Sequence, residues 1–269
     1  MQCRSDGPIP YTCRFKQPLI DLVGNMLIHN VRYLGHAARS AMALGLHRSQ
    51  VVSGSGAWLT RLRLTFWTIY YMERMTALFS GRPTCLSEEH IDAPLSDDMT
   101  QGPDSFPAQH SYVRAMSVLG RVSDTIMRAN YSPTTVKRVS ELSTMNRTNN
   151  ECIETLQCLL NNLPPFLHFF DQQTPLGEEW QEVQRTCLGI TYHITCILIY
   201  RPAIIYVTFF DSLALAQESI GDRIDIQKNI DLAVLSAKSL IALTHDAFFN
   251  RCPAMKRDGN MAVSIFYST

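Results

Sequence analysis

Histidine and cysteine are the side chains of this sequence best suited to binding a metal or acting as nucleophiles, and there are eight of each. A structural zinc site needs such ligands at close spacing, commonly as a Cys-x-x-Cys pair, and the sequence contains no such pair. His47 and His193 fall in predicted helices, and neither belongs to a metal-binding motif such as HExxH. We expect no metal ligand and no catalytic residue.

The other signatures of catalysis are also missing from the sequence. There is no phosphate-binding loop of the Walker type and no GxSxG elbow for a nucleophilic serine. Residues 88–90 (EEH) suit the start of a helix, where acidic side chains are favourable, and Arg61 and Arg63 suit a solvated face. We therefore expect a protein that is not an enzyme, and rank an uncharacterised enzyme lowest among the alternatives.

Composition and charge restrict the class of protein further. Hydrophobic residues make up 46% of the 269 residues and charged residues 18%, which is typical of a globular chain. Lys and Arg together number 24, as do Asp and Glu, and a domain that binds nucleic acid by itself is usually basic. Several cysteines lie in apolar helical runs, which favours buried thiols in a reducing compartment.

The elements that would position these residues are helices, because apolar residues recur at helical spacing and no segment alternates with a period of two. The pattern predicts an all-α fold, a multi-helix array of helical hairpins around one elongated core. The predicted helices are 19–46 (with a break near Asn30), 58–79, 112–129, 134–160, 178–200 and 225–247, with a flexible connector at 51–57 and a loop at 95–106.

One long apolar segment, residues 188–210, is compatible with a membrane span. Arg201 would be costly in lipid, and Pro202 directly after it interrupts a helix interior. We therefore predict a buried helix that ends near Tyr200, followed by a short second apolar segment, and no membrane association.

Several sequence islands resemble, in order, the middle homology region of fungal zinc-cluster transcription factors, the fungal-specific transcription factor domain. ARSAMALGLHR (38–48) is similar to the family segment AxRxAxxLGLHR, and RLTFWTIYYMERMTALFSGRP (63–83) to RRxxWWxxYxxDRxxSxxxGRP. EHIDAP (89–94), LPP (163–165), LGITYHITCILIYRP (188–202) and the helix at 229–243 continue the resemblance. Departures include Glu73, where the family has aspartate, and Leu64, at one of two basic positions.

The resemblance implies that the matching residues hold the fold together, with aromatic side chains in the core and Glu73 and Arg74 needing partners there. Arg39 is the partner that we predict for Glu73. The residues to which the resemblance assigns this structural role are Arg39, Gly45, Leu46, His47, Arg48, Trp67, Glu73, Arg74, Gly81, Arg82, Pro83, Tyr192, His193, Arg201 and Pro202.

The resemblance also implies a function: a nuclear domain that regulates transcription by RNA polymerase II. In the family a separate module with six cysteines binds zinc and DNA, so we expect zinc only in such an upstream module and DNA contact only through it. We expect a loose leader at 1–18 and the regulatory domain at 19–269, truncated at both ends. Its partners would be other proteins or its own DNA-binding module. The alternatives are a helical module that binds a hydrophobic small-molecule inducer, and a non-functional fragment.

Overall fold

The computed structural model describes residues 31–95, 107–131, 139–170, 174–221, 224–253 and 255. Within these ranges the fold is all-α, as predicted. The predicted leader and most of the predicted loop at 95–106 lie outside the described residues. The helices are α1 (residues 31–43), α2 (Ser49–Val52), α3 (Ala57–Ser80), α4 (Pro107–Tyr131), α5 (Val139–Asn161), α6 (Glu179–Val207), α7 (Leu213–Ile220) and α8 (Ile226–Asp246).

Helix α3 matches the predicted helix 58–79 to within one residue at each end. It ends where Gly81 adopts the left-handed conformation, with φ at 63°, which glycine accepts without a steric penalty. The N–H of Arg82 donates to the carbonyl of Ala77 at 3.1 Å, and the N–H of Gly81 donates to that of Leu78 at 3.4 Å. This pair of bonds is the Schellman motif, which satisfies carbonyls that the helix end leaves free.

The connector predicted at 51–57 is partly wrong, because Ser49–Val52 forms the short helix α2. Val52 is fully buried, in a cluster with Leu46 and Phe66. An apolar side chain that can reach the core favours an ordered turn over a flexible segment. The non-helical connector between α2 and α3 is therefore limited to residues 53–56.

Helix α6 was predicted to end near Tyr200, and this is also wrong: the helix continues to Val207 with Pro202 in its interior. Helix α7 was not predicted at all. Its ends nevertheless carry ordinary signals, since the Ser212 hydroxyl accepts the N–H of Leu215 at 3.3 Å and Gly221 follows the last turn with φ at 67°.

Helices α6 and α8 run antiparallel, since Glu182 near the start of α6 contacts Arg251 beyond α8, and Ile226 at the start of α8 shares a cluster with Tyr206 near the end of α6. Gly189 of α6 lies against Leu243 in the last turn of α8. A Cβ on Gly189 would lie 2.5 Å from Leu243 Cδ2 and 2.9 Å from Phe169 Cγ. Both distances are shorter than van der Waals contact allows, so this close approach depends on glycine.

Two described helical segments, Glu179–Val207 and Ile226–Arg251, are long and apolar enough to span a membrane by composition alone. Helix α6 instead lies at the centre of the fold, packed against α4 and α8. Its buried Glu182 and Arg185 pair with each other, which is the behaviour of a core helix in a globular domain.

Buried apolar side chains form clusters that follow one another through the helices. The largest joins α3, α4, α5 and α6 around Leu119, Leu156 and Leu188. A second lies between α1, α2 and α3, and two smaller ones surround the ends of α6 where it meets α7 and α8. This arrangement places α3 and α6, which carry most of the family motifs, at the centre of the fold.

Candidate functional site

A highly connected polar group surrounds Arg74 on α3. The guanidinium lies 2.6 Å from Thr84 Oγ1 and 2.6 Å from Asp124 Oδ1, and it donates to the carbonyl of Leu86 at 2.8 Å. Glu88 Oε1 lies 3.3 Å from the same guanidinium. We call Arg74, Thr84, Glu88 and Asp124 the Arg74 cluster. It joins α3, the segment after Gly81 and α4.

Aromatic rings line one side of the Arg74 cluster. The guanidinium carbon of Arg74 lies 5.0 Å from the centre of the Tyr70 ring, and that of Arg121 lies 5.8 Å from the Trp67 ring, which are cation–π distances. The Tyr70 hydroxyl donates to Glu88. Burial raises the pKa of Tyr70 well above its usual value, and the charge of Arg74 opposes this rise. The hydroxyl is therefore a stable hydrogen-bond donor.

Glu73, beside Arg74, holds the same segment through its backbone. Its Oε1 accepts the N–H of Cys85 at 2.6 Å, and its Oε2 is buried without a hydrogen-bond partner. The predicted pair with Arg39 is therefore wrong: Arg39 is exposed, and its guanidinium lies 3.4 Å from His36 Nδ1. Burial raises the pKa of the Cys85 thiol to about 11, so this thiol is not activated as a nucleophile.

The segment around Gly45-Leu46-His47-Arg48 contacts residues 91–94, two islands that the sequence places more than forty residues apart. The carbonyl of His47 accepts the N–H groups of Asp92 and Ala93 at 3.1 and 3.0 Å. Asp92 accepts the N–H of Ser49 at 2.8 Å and lies 3.5 Å from Arg48 Nε. Gly45 has φ at 72°, which turns the chain between α1 and α2.

The loop at 81–95 is thus attached along its whole length. Besides the contacts of Cys85, Leu86, Glu88 and Asp92, the carbonyl of Pro94 accepts the indole N–H of Trp67 at 3.0 Å. Arg82 and Pro83 themselves are exposed. The loop therefore connects the end of α3 back to its middle, over the buried Glu73 and Arg74.

The motif at Arg201-Pro202 lies inside α6, and the structure shows why the helix continues there. Pro202 has no N–H, so the carbonyl of Leu198 loses its intrahelical donor. Tyr131 supplies one from α4, with its hydroxyl 3.0 Å from that oxygen. Asn149 on α5 donates to the carbonyl of Ile199 at 3.0 Å. Tyr131 therefore replaces the missing bond, and Asn149 adds a contact from a second helix to the same turn.

Arg201 is exposed and affects the hydroxyl that supports this turn. Burial raises the pKa of Tyr131 to about 12, and the charge and hydrogen bond of Arg201 act in the opposite direction. Asn149 is oriented by Asn130, whose amide donates to Asn149 Oδ1 at 3.0 Å. Both donors to the proline turn thus have partners of their own.

Tyr192 and His193 belong to an aromatic group that also contains Phe169 and Phe170, with ring centres 4.5–5.9 Å apart. His193 is buried, its Nδ1 has no hydrogen-bond partner, and burial lowers its pKa to about 4. Cys196 lies one turn later, and burial raises its pKa to about 12. Both side chains are neutral near pH 7.

Two buried polar contacts escaped the sequence analysis. Glu182 accepts from Arg185 and from the N–H of Gly177 at 2.8 Å, and its Oε2 lies 2.8 Å from Arg251 Nε. Burial would raise the pKa of Glu182, but these donors lower it below its usual value. Arg63, predicted to lie on a solvated face, is buried and donates to the carbonyl of Gly54 at 3.1 Å.

The spacing Glu182-x-x-Arg185 is a sequence signal for one of these contacts, since residues three apart meet on a helix. Arg251 is 69 residues from Glu182 and gives no such signal. For Arg63, the available hint was that Phe66 and Trp67, three and four residues later, lie on the same helix face and are large aromatic residues.

These polar groups join helices and loops of the fold to one another. Among the described residues, no three His, Cys, Asp or Glu side chains are grouped so that they could hold a metal ion. The carboxylates of the Arg74 cluster are occupied by arginine and hydroxyl donors, and the thiols of Cys85 and Cys196 have raised pKa values. The residues that the resemblance selected therefore connect helices and loops to one another.

Comparison with known proteins agrees with this description. The model of the fungal specific transcription factor domain matches residues 23–177. The transcriptional activator protein acu-15 of Neurospora crassa is 28% identical over 187 residues, which are 64% of this chain and 19% of that protein. The uncharacterized transcriptional regulatory protein C3C7.04 of Schizosaccharomyces pombe is 27% identical over 221 residues, 79% of this chain and 25% of that protein.

The chain thus spans about a fifth to a quarter of the length of these two curated relatives. No solved structure matches it significantly. The family match covers more than half of the chain and includes α1, α2, the loop at 81–95 and the Arg74 cluster. The chain therefore belongs to the fungal-specific transcription factor domain family and carries a fungal transcription-regulatory domain.

Proposed function

We propose that residues 19–269 act in the nucleus as a domain that controls transcription by RNA polymerase II through contacts with protein partners or with a DNA-binding module of the same polypeptide. The observation that carries the proposal is that the family motif on α3 and the loop that follows it are joined to α4 through one buried group around Arg74. A domain that transmits a regulatory signal needs helices that keep a fixed relative position. The ion pair of Arg74 with Asp124 fixes α3 against α4, and the hydrogen bond of Arg74 to the carbonyl of Leu86 fixes the loop after α3.

DNA contact by this chain itself is not favoured by its charge. Its 24 basic and 24 acidic residues balance, whereas binding to phosphates requires an excess of Lys and Arg. The carboxylates of Glu88 and Asp124 hold Arg74 and also contact Arg121 and Arg128. We therefore assign DNA binding to a separate module, the only part for which the family resemblance implies zinc.

A catalytic role has no support in the described residues. The strongest departures from ordinary pKa values belong to buried tyrosines, thiols and His193, and burial is the first cause of each. A catalytic acid or base would instead stand beside a cleft with its pKa near the working pH. The proposed domain works by binding, not by chemical conversion.

A small-molecule effector was the alternative function considered from the sequence. The described residues enclose a cavity of about 20 Å³ between α5, α6, α7 and α8, lined by Asn149, Tyr206 and Ile226 among others. That space holds one water molecule, not a hydrophobic metabolite. To bind in this cavity, an inducer would have to separate these helices, so the cavity does not favour the alternative.

A reporter experiment tests the proposed function. The chain is fused to a heterologous DNA-binding module in yeast, and transcription from a matching operator is compared with that of the module alone. We expect the fusion to change reporter output, and Arg74→Met to abolish the change because it dismantles the Arg74 cluster. Arg61→Met, on the exposed side of the same helix, is the matched control and should behave like the original fusion.

Equal reporter output from the fusion and from the bare module would contradict the proposal, provided that the fusion is intact and nuclear by fluorescence and immunoblot. A second arm uses the full-length gene product and deletes residues 38–202, which contain the family motifs. Unchanged regulation of its target genes after this deletion would count against the proposal equally.

A further inference from the structure

A small cavity lies beside the turn of α6 at Pro202, where α5, α6, α7 and α8 meet. Its volume is about 20 Å³, and most of its wall is apolar, as at Pro202 and Ile226. Asparagine side chains interrupt this wall. Asn146 and Asn149 line the cavity from one face of α5, because residues three apart lie on the same side of a helix, and Asn229 lines it from the first turn of α8.

Asn149 has hydrogen-bonding capacity that its protein partners do not use. Its amide donates to the carbonyl of Ile199 at 3.0 Å, and its oxygen accepts from Asn130 at 3.0 Å. A side-chain amide carries two N–H groups and an oxygen with two lone pairs, so these bonds use half of its capacity. Leaving the other half without a partner at a half-buried position costs free energy. Asn149 therefore favours a further polar partner inside the cavity.

The cavity meets the physical requirements for binding one water molecule. Such a site needs a volume of at least ~10–15 Å³ and about two to four polar partners. The amides of Asn146, Asn149 and Asn229 supply partners from two helices. Asn229 is not one of the two residues that bond to Asn149, although both line the same space. A cavity with apolar walls alone would stay dry.

The lining also selects the kind of molecule that fits. Hard cations prefer carboxylate and carbonyl oxygens, and among the described residues that line the cavity none is an aspartate or a glutamate. A neutral molecule that both donates and accepts hydrogen bonds matches amide side chains better. Water is such a molecule, and the volume admits one copy of it.

We infer that this cavity is a binding site for one ordered water molecule, which bridges Asn149 of α5 to Asn229 of α8 beside Pro202. Helix α8 packs chiefly on α6, so the water attaches it to a second helix. Asn149 then serves two purposes, since it donates directly to the carbonyl of Ile199 and holds the water with its remaining groups. The polar support of the turn at Pro202 thus extends from α4 and α5 to α8.

The first test replaces one partner of the water by an apolar side chain of the same branched shape. Asn229→Leu should raise the equilibrium constant of unfolding about tenfold, measured by urea denaturation, because the water loses a partner and Asn149 is left less satisfied. If the cavity is dry, leucine adds apolar contacts to its wall and is also the better helix former. An unchanged or lower unfolding constant therefore overturns the inference.

The matched control is Asn150→Leu, which makes the same chemical change at an exposed position on α5. It should leave the unfolding constant within about threefold of the original value, as surface substitutions usually do. An increase as large as that of Asn229→Leu would show that the effect comes from losing an asparagine in general, and would contradict the proposed site.

The second test detects the water itself, so it does not depend on how well leucine fits. In NMR spectra of the ¹⁵N-labelled chain, the side-chain amide protons of Asn149 and Asn229 should show cross-peaks to bound water. Rotating-frame spectra separate this contact from proton exchange by the sign of the cross-peak. The exposed Asn150 amide is the control and should show no contact with a long-lived water.

The same spectra of Asn229→Leu test the bridge between the helices. The cross-peak between Asn149 and water should disappear, because the water has lost its partner on α8. Absence of the cross-peaks in the original chain overturns the water site. A cross-peak at Asn149 that persists in Asn229→Leu overturns the bridge to α8.

Discussion

Arg74 and His193 are both buried, both lie on central helices and both belong to family motifs, yet they are held by opposite means. Arg74 is surrounded by two carboxylates, a hydroxyl and a carbonyl, which pair with its guanidinium. His193 is surrounded by rings, and burial lowers its pKa to about 4, which keeps it neutral. The comparison teaches that a polar family residue can be accommodated in a core either by partners or by loss of its charge.

The largest effect should come from removing the charge at the centre of the Arg74 cluster. Arg74→Met leaves Asp124 and Glu88 partly unpaired and should lower the free energy of unfolding by ~3–5 kcal/mol. Urea denaturation followed by circular dichroism measures the change. Arg121→Met removes a half-exposed partner of Glu88 and should cost under ~1 kcal/mol. Equal losses in the two variants would show that Arg74 is not the centre of the cluster.

Acid should affect the His193 group because the imidazole of His193 titrates in the acid range. His193 binds a proton near pH 6.5 when unfolded but only near pH 4 when folded. Its contribution is therefore intact above pH 6.5 and is lost as the pH falls toward 4. Between pH 7.5 and 5 it should lower the free energy of unfolding by roughly 2 kcal/mol.

The variant His193→Phe isolates that contribution, since phenylalanine suits the ring environment and does not titrate. Urea titrations at both pH values should show a smaller loss for the variant than for the original chain. Identical pH dependence in the two proteins would mean that another group accounts for the acid sensitivity.

Gly189 and Gly120 both lie at close contacts between helices, and they should differ in how well they tolerate an added methyl group. Gly189→Ala should destabilise the fold by ~1–3 kcal/mol, because the new methyl group would overlap Leu243 and Phe169. In Gly120→Ala the nearest contact would be Arg74 Cβ at 3.1 Å, and the better helix propensity of alanine should offset most of the strain. Thermal midpoints of the two variants give the answer, and a larger drop for Gly120→Ala would reverse the ranking.

The smallest effect concerns the proline turn of α6. Tyr131→Phe removes the donor to the carbonyl of Leu198 and should lower the free energy of unfolding by about 1 kcal/mol. Tyr206→Phe removes a bond to the hydroxyl of Ser219 near the surface and should cost less. Chemical denaturation of the pair is the measurement, and a neutral Tyr131→Phe would mean that water can serve that carbonyl equally well.

Much of the helical architecture could be predicted because its signals are local. The apolar spacing of α3 and the Gly81 turn define its extent, and Asp225 marks the start of α8, where its carboxylate accepts the N–H of Lys228 at 2.9 Å. The course of α6 could not be predicted in this way. Proline at position 202 ordinarily ends a helix, and the donors that override this rule, Tyr131 and Asn149, are 71 and 53 residues away from it in the sequence.

In the candidate site, too, some features have local sequence signals and others depend on residues that are distant in the sequence. Its residue types were recognisable, since a buried Arg74 requires acceptors, but which acceptors it finds depends on how α4 packs. Asp124 is fifty residues further along the chain, and no spacing rule connects the two. The predicted Arg39–Glu73 pair failed for a related reason, because a backbone N–H of the nearby loop is a closer partner for a carboxylate than a side chain of another helix.

The attachment of the loop at 81–95 has a practical consequence for dissecting the protein. Irregular segments are usually the first to be cut by proteases and are chosen as places to divide a polypeptide. Here the amides of Cys85, Asp92 and Ala93 are bonded to the rest of the fold, so they should exchange slowly with solvent deuterium. Dividing the chain at this loop would remove hydrogen-bond partners of the buried Glu73 and Arg74, so both pieces should be insoluble. A boundary outside the family match at residues 23–177 is the better place to divide the chain.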